Sequence, residues 1–144
     1  MRDWRAAARA VQSAVALSAV LVVVAIADQI GNHSLIDHAT AMYVPYGKPP
    51  DAGLLYGLVY TVAVVGATLW LLVSRALRSR RRSAPVLAAV AIAITAALAV
   101  LLFVATEYGE QIFPPLWGVL ASLPPAAGIL AVMMFFRRAS GQAQ

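Results

Sequence analysis

Residues 53–105 read GLLYGLVYTVAVVGATLWLLV, SRALRSRRRS and APVLAAVAIAITAALAVLLFVA in succession, and this stretch decides the fold. Two apolar runs of 21 and 22 residues flank ten residues that hold five Arg. A helix crosses the hydrocarbon core of a bilayer with about 20 apolar residues, so each run is long enough to span. Working outward, residues 10–27 and 113–136 are two further apolar runs. The connection at 74–83 is a basic turn and that at 106–112 is tight; only the loop 28–52 is sizeable. Short connections place consecutive helices side by side and antiparallel. The predicted fold is all-α: a polytopic membrane protein with a four-transmembrane-helix up-down bundle and a short extracytoplasmic amphipathic helix. Residues 1–144 are expected to form a single integral membrane domain.

Charge predicts the threading. Ten of the eleven basic residues fall on one side of the four spans. Arg2, Arg5 and Arg9 precede the first; Arg75, Arg78, Arg80, Arg81 and Arg82 join the second and third; Arg137 and Arg138 follow the fourth. Only Lys48 falls on the other side. Basic loops stay cytoplasmic, which predicts both termini inside and loops 28–52 and 106–112 outside. Five of the six acidic residues, Asp28, Asp37, Asp51, Glu107 and Glu110, fall outside; Asp3 alone is inside. Trp4 and Trp70 are expected near the inner interface; Trp117 joins Tyr43, Tyr46, Tyr56 and Tyr108 near the outer one. One Lys against ten Arg, with abundant Ala and Val, suggests a bacterial chain, hence a multi-pass plasma-membrane protein. The Arg run reads as a topology determinant contacting anionic lipid, or as a docking site for a cytoplasmic partner.

The composition excludes several classes. At 62% hydrophobic and 12% charged, the chain has about half the charge of a soluble domain. The net charge of +5 comes from Arg beside apolar spans, which argues against nucleic-acid binding. With no Cys there is no disulfide, no thiolate metal site and no thiol redox chemistry. No other cofactor is indicated. Ala25-Ile26-Ala27 before Asp28 resembles a signal-peptidase site, but the apolar run is long for a signal peptide, so an uncleaved first helix is expected.

In the loop 28–52, Asn32 or Ser34 can cap a helix, and Ser34-x-x-Asp37 resembles a capping box. Leu35, Ile36, Ala39, Met42 and Tyr43 then share one helical face, with Asp37, His38 and Ala41 opposite. Pro45, Gly47, Pro49 and Pro50 end this helix.

Close packing must hold helices together in lipid, where apolar side chains gain nothing by leaving the tails. Gly53-x-x-x-Gly57, followed by Thr61, Val64 and Thr68, is the expected packing face of the second span, against its own bundle or in a homodimer. Ala14 with Ser18, the Ala-rich third span and Gly118 with Ser122 supply the others. Pro124 and Pro125 each remove a backbone donor and are expected to kink the fourth span or divide it.

No Asp, Glu, Lys, Arg or His lies deep in any span; only Gln12, Ser13, Ser18, Thr61, Thr68, Thr95 and Ser122 bring polarity there. Ion-coupled transporters place an ionisable group near the midplane, and small multidrug exporters of this size depend on a first-span carboxylate. The absence argues against a self-sufficient coupled pump. Titratable groups gather instead in the outer loops. His33, Asp37, His38, Glu107 and Glu110 are the candidate ligand or metal set, because imidazole with carboxylate suits a divalent transition metal or acid–base chemistry. Glu107 and Glu110, three apart, are expected to share a helix face, with Tyr56, Tyr60 or Trp117 near Glu107.

No catalytic residue is assigned. The leading reading is a non-enzymatic accessory or interaction protein, or a binder of a small apolar ligand. Its partners would be the lipid bilayer, a membrane protein or a second copy. The alternatives are a self-associating small transporter or channel, and a membrane-embedded enzyme using the outer His and carboxylates.

Overall fold

A computed structural model describes the backbone of residues 2–141 and the side chains of residues 5–134. Trp4, Arg137 and Arg138 therefore lie outside the described side chains. The chain is all-α apart from one small hairpin. Helices α1 (Arg2–Ala27), α3 (Ala52–Arg78), α4 (Ala84–Val104) and α5 (Pro115–Gly141) are long; α2 (Ser34–Tyr43) is short. Strands β1 (Thr106–Glu107) and β2 (Glu110–Gln111) join α4 to α5. The four long helices are each long and apolar enough to cross a membrane.

Helix α1 packs against α3 and α5, and α4 packs against the same two; the diagonal pairs scarcely touch. The helices thus form a closed ring in the order α1, α3, α4, α5. Two buried clusters fill it. One contains Leu21, Leu55, Tyr56, Phe113 and Trp117, with Leu35 and Ala39 of α2 sealed onto it. We call this the lid end. The other contains Val11, Trp70, Val73 and four Ala of α3 and α4, beside the Arg75–Arg82 turn. We call this the arginine end. The outward faces carry exposed Val, Leu and Ile along every long helix, including Val23, Val64, Val86, Val100 and Leu130. This inverts a water-soluble surface and suits contact with lipid tails.

Small residues set the helix spacing. Ala14 and Ser18 of α1 are buried, and a Cβ on Gly66 of α3 would stand 3.1 Å from Ser18 Oγ. The Ser18 and Thr95 hydroxyls donate back to the carbonyls of Ala14 and Ala91, so neither is left unsatisfied. The Trp70 ring lies across Gly128, where a Cβ would overlap it, and Phe103 covers Gly118 at 2.7 Å from the same position.

Several expectations change. The Gly53-x-x-x-Gly57 face does not pack inside this bundle: Gly53, Gly57, Thr61, Val64 and Thr68 are all exposed. The periodicity marked a real stripe, but the core-facing side of α3 is the one bearing Leu55, Val59, Val62, Gly66 and Trp70. Pro124 and Pro125 do not divide the last helix, which runs through both without a break. Both prolines are buried. The first apolar rod is longer than residues 10–27. Helix α1 continues into one π-helical turn, Asp28–Asn32, and the apolar segment reaches from Arg5 to Asn32.

Candidate functional site

The lid begins at Asp28. Its residue is 5% exposed, and among the described residues hydrogen-bond donors rather than a cation satisfy it. Oδ1 accepts from the Ser34 amide at 2.9 Å and from the Ser34 hydroxyl. Oδ2 accepts from the Leu35 amide at 3.0 Å and the Tyr56 hydroxyl at 2.7 Å. The two amides are orphan donors of the first turn of α2, and a carboxylate there also faces the positive end of the helix dipole. The π turn and His33, at φ 54°, fold the chain back so that Asp28 reaches this position. The expected Ser34-x-x-Asp37 capping box is not formed. The cap is supplied from six residues upstream, and Ser34 is a donor to it. One carboxylate thereby ties α1, α2 and α3 together.

The α2 pattern holds: Leu35, Ala39 and Met42 are buried, while Asp37 and Ala41 are exposed. The 3₁₀ turn Val44–Tyr46 follows, and Gly47 at φ 67° reverses the chain. Asp51 then caps α3 by accepting from the Leu54 amide at 3.0 Å.

The hairpin docks on this lid. Glu107 pairs with Glu110 across a two-residue turn, Tyr108 at φ 54° and Gly109 at φ 84°. Two successive positive φ values make a type I′ turn, which matches strand twist but strains a tyrosine. Contacts hold that tyrosine. Tyr46 stacks on its ring at 4.0 Å and Tyr43 meets it edge-on at 5.9 Å. Lys48 Nζ donates to its hydroxyl at 2.7 Å. The Tyr43 hydroxyl donates to Glu107, and His38 Nε2 lies 2.8 Å from the Gln111 carbonyl, to which it donates as the Nε2–H tautomer. Gln111 Nε2 in turn donates to the Phe103 carbonyl at 3.2 Å.

Outside the four long apolar segments, Tyr43 and Lys48 titrate above their ordinary values. The hydrogen bond to the Glu107 carboxylate pushes the Tyr43 hydroxyl up to about 12. The Tyr108 oxygen that accepts from Lys48 raises that ammonium above its usual value.

The candidate residues are distributed rather than convergent. His38 and Glu107 take part in the lid's attachment, each with its own partner. His33, Asp37 and Glu110 are exposed around it. Among the described residues, no group of three or more His, Asp or Glu is placed to hold a metal ion. Glu107 and Glu110 face each other across a hairpin rather than along a helix, because Tyr108-Gly109 turns the chain. Glu107 meets Tyr43, not Tyr56, Tyr60 or Trp117; Tyr56 belongs to Asp28, and the Tyr60 hydroxyl donates to Gln29 at 2.6 Å.

Tyr43, Lys48, Tyr108 and Gln111 were not among the candidates. A two-residue turn ending in Gly was the available signal, hidden because Tyr stands where Asn or Asp is usual.

No protein family, curated protein or solved structure matches the chain.

Proposed function

We propose that this is a non-enzymatic accessory protein of a bacterial plasma membrane. It crosses the bilayer four times, up and down, with both termini in the cytoplasm, and presents the lid on the outer face. The bond between the Asp28 carboxylate and the first turn of α2 carries this reading. Asp28, His38, Tyr43, Lys48, Tyr56, Glu107 and Tyr108 are engaged in holding α2 and the hairpin on the bundle. Such a cap suits a fixed surface for another membrane protein better than a gated path or a reaction centre. A shallow groove lined by Ile36, Thr40, Val44, Pro49 and Pro50 adds apolar area to that surface.

The test is site-specific photo-crosslinking from Val44 and Tyr46 in cells, compared with the exposed helix position Val86. A discrete adduct from the lid positions, lost when Asp28→Ala loosens α2, is expected. Crosslinks to lipid alone from every position contradict an accessory role.

A second reading, self-association, draws on the outward stripe Gly53, Gly57, Thr61 and Thr68, since small residues let helices approach closely. Energy transfer between labelled copies that Gly57→Leu abolishes is its expected signature. Unchanged transfer removes it.

A further inference from the structure

Helix α3 ends in a Schellman turn. The Arg81 amide donates to the Ala76 carbonyl at 3.0 Å and the Arg80 amide to Leu77 at 2.9 Å. Arg80 holds the left-handed position, φ 50°, where glycine is usual. The turn fixes the backbone of an Arg-rich segment, and beside it lies a cavity of about 530 Å³. Arg75, Arg78, Ser79 and Arg81 line it together with the apolar Leu72, Ala76 and Leu87. It opens between the ends of α3 and α4, the least intimate of the neighbouring pairs.

Three arginines line this cavity, and residues 52–106 hold no Asp or Glu to pair with them locally. The negative end of the α3 dipole amounts to roughly half a charge, too little to neutralise them. The apolar lining continues onto the membrane-facing surface through Leu72, Leu87 and Val86, which are 46%, 37% and 65% exposed. A ligand fitting both the arginines and the apolar lining carries a phosphate and a hydrocarbon chain. We propose that this cavity binds the headgroup phosphate of an anionic phospholipid, with one acyl chain laid along Leu72 and Leu87. Planar guanidinium groups suit phosphate oxygens through paired hydrogen bonds. The proposal rests on the membrane reading above.

The test is native mass spectrometry of the full chain released from nanodiscs of phosphatidylcholine and phosphatidylglycerol. The native chain is expected to retain one phosphatidylglycerol. Arg75→Gln with Arg81→Gln should weaken retention about thirtyfold, at roughly fivefold per basic residue near a charged membrane. Arg80→Gln with Arg82→Gln removes the same charge outside the cavity, with no hydrogen bond to the phosphate to lose, and should cost clearly less than the first pair. If the first pair fails to fold, Arg78→Gln alone carries the test, with about a fivefold loss expected.

Equal loss in both pairs means diffuse attraction and overturns the site. So does equal retention of the two lipids by the native chain, or displacement of the lipid by millimolar inorganic phosphate. A chain that enters no disc contradicts the membrane reading itself. A chain that enters and shows no preference contradicts this site alone.

Discussion

At the lid end, Asp28, Glu107, Lys48 and His38 each have a partner within the chain. At the arginine end, Arg75, Arg78 and Arg81 surround a cavity in a stretch with no carboxylate from 52 to 106. Both ends are polar, but one uses its polarity to close itself and the other leaves it facing outward. Polar bonding adds to the packing that holds the first together; the second is held by packing and a backbone turn. The cavity among these arginines is where the lipid headgroup is proposed to sit.

The contrast breaks most readily at Asp28. Asp28→Ala strips an acceptor from two amides and two hydroxyls, and leaving buried donors unpaired is costly. A loss of about 3 kcal/mol in denaturant unfolding in micelles is expected, with faster amide exchange across α2. A loss below about 1 kcal/mol means that the lid does not depend on this carboxylate.

At the arginine end, Gly128→Ala drives a methyl group into the Trp70 ring, which is fully buried. Overpacking of this kind costs about 1–3 kcal/mol. Gly57→Ala, which meets open space, is expected to change stability by less than half as much. Equal effects contradict the assignment of the two faces of α3.

Arg80→Gly relieves a left-handed arginine and is expected to stabilise the chain by about 1 kcal/mol in the same unfolding measurement. A loss of stability means that the Arg80 side chain makes a contact outweighing the strain.

The smallest effect concerns Tyr43. Its hydroxyl titrates near 12 when folded and near 10 when free. Because the folded value is the higher, the stabilisation is complete below about pH 10 and is lost as pH rises through about 12. Tyr43→Phe should remove the step near 12 from the tyrosinate absorbance curve. It should also abolish the alkaline weakening of the hairpin seen by near-ultraviolet dichroism.

Much of the architecture was legible because helices long and apolar enough to cross a membrane announce themselves by length and composition, as residues 53–73 and 84–105 do. The α2 face was legible from Leu35, Ala39 and Met42 at helical spacing. The lid's bonding was not, because it joins residues far apart in sequence: Asp28 to Tyr56, Tyr43 to Glu107, Lys48 to Tyr108. No local period encodes such pairs. The small-residue stripe of α3 was visible but not its direction, since 3.6-residue periodicity marks a face without saying which neighbour it meets.

The lid and the arginine turn are proposed to lie on opposite sides of a membrane. The chain contains no Cys, so single substitutions give clean labelling sites. Ala41→Cys in α2 and Ser79→Cys beside the arginine cavity, each treated with a membrane-impermeant maleimide in intact cells, test it directly. Labelling of Ala41→Cys in intact cells, and of Ser79→Cys only after permeabilisation, is the result expected. Labelling of both from the same side, or recovery of the chain in the soluble fraction, contradicts it.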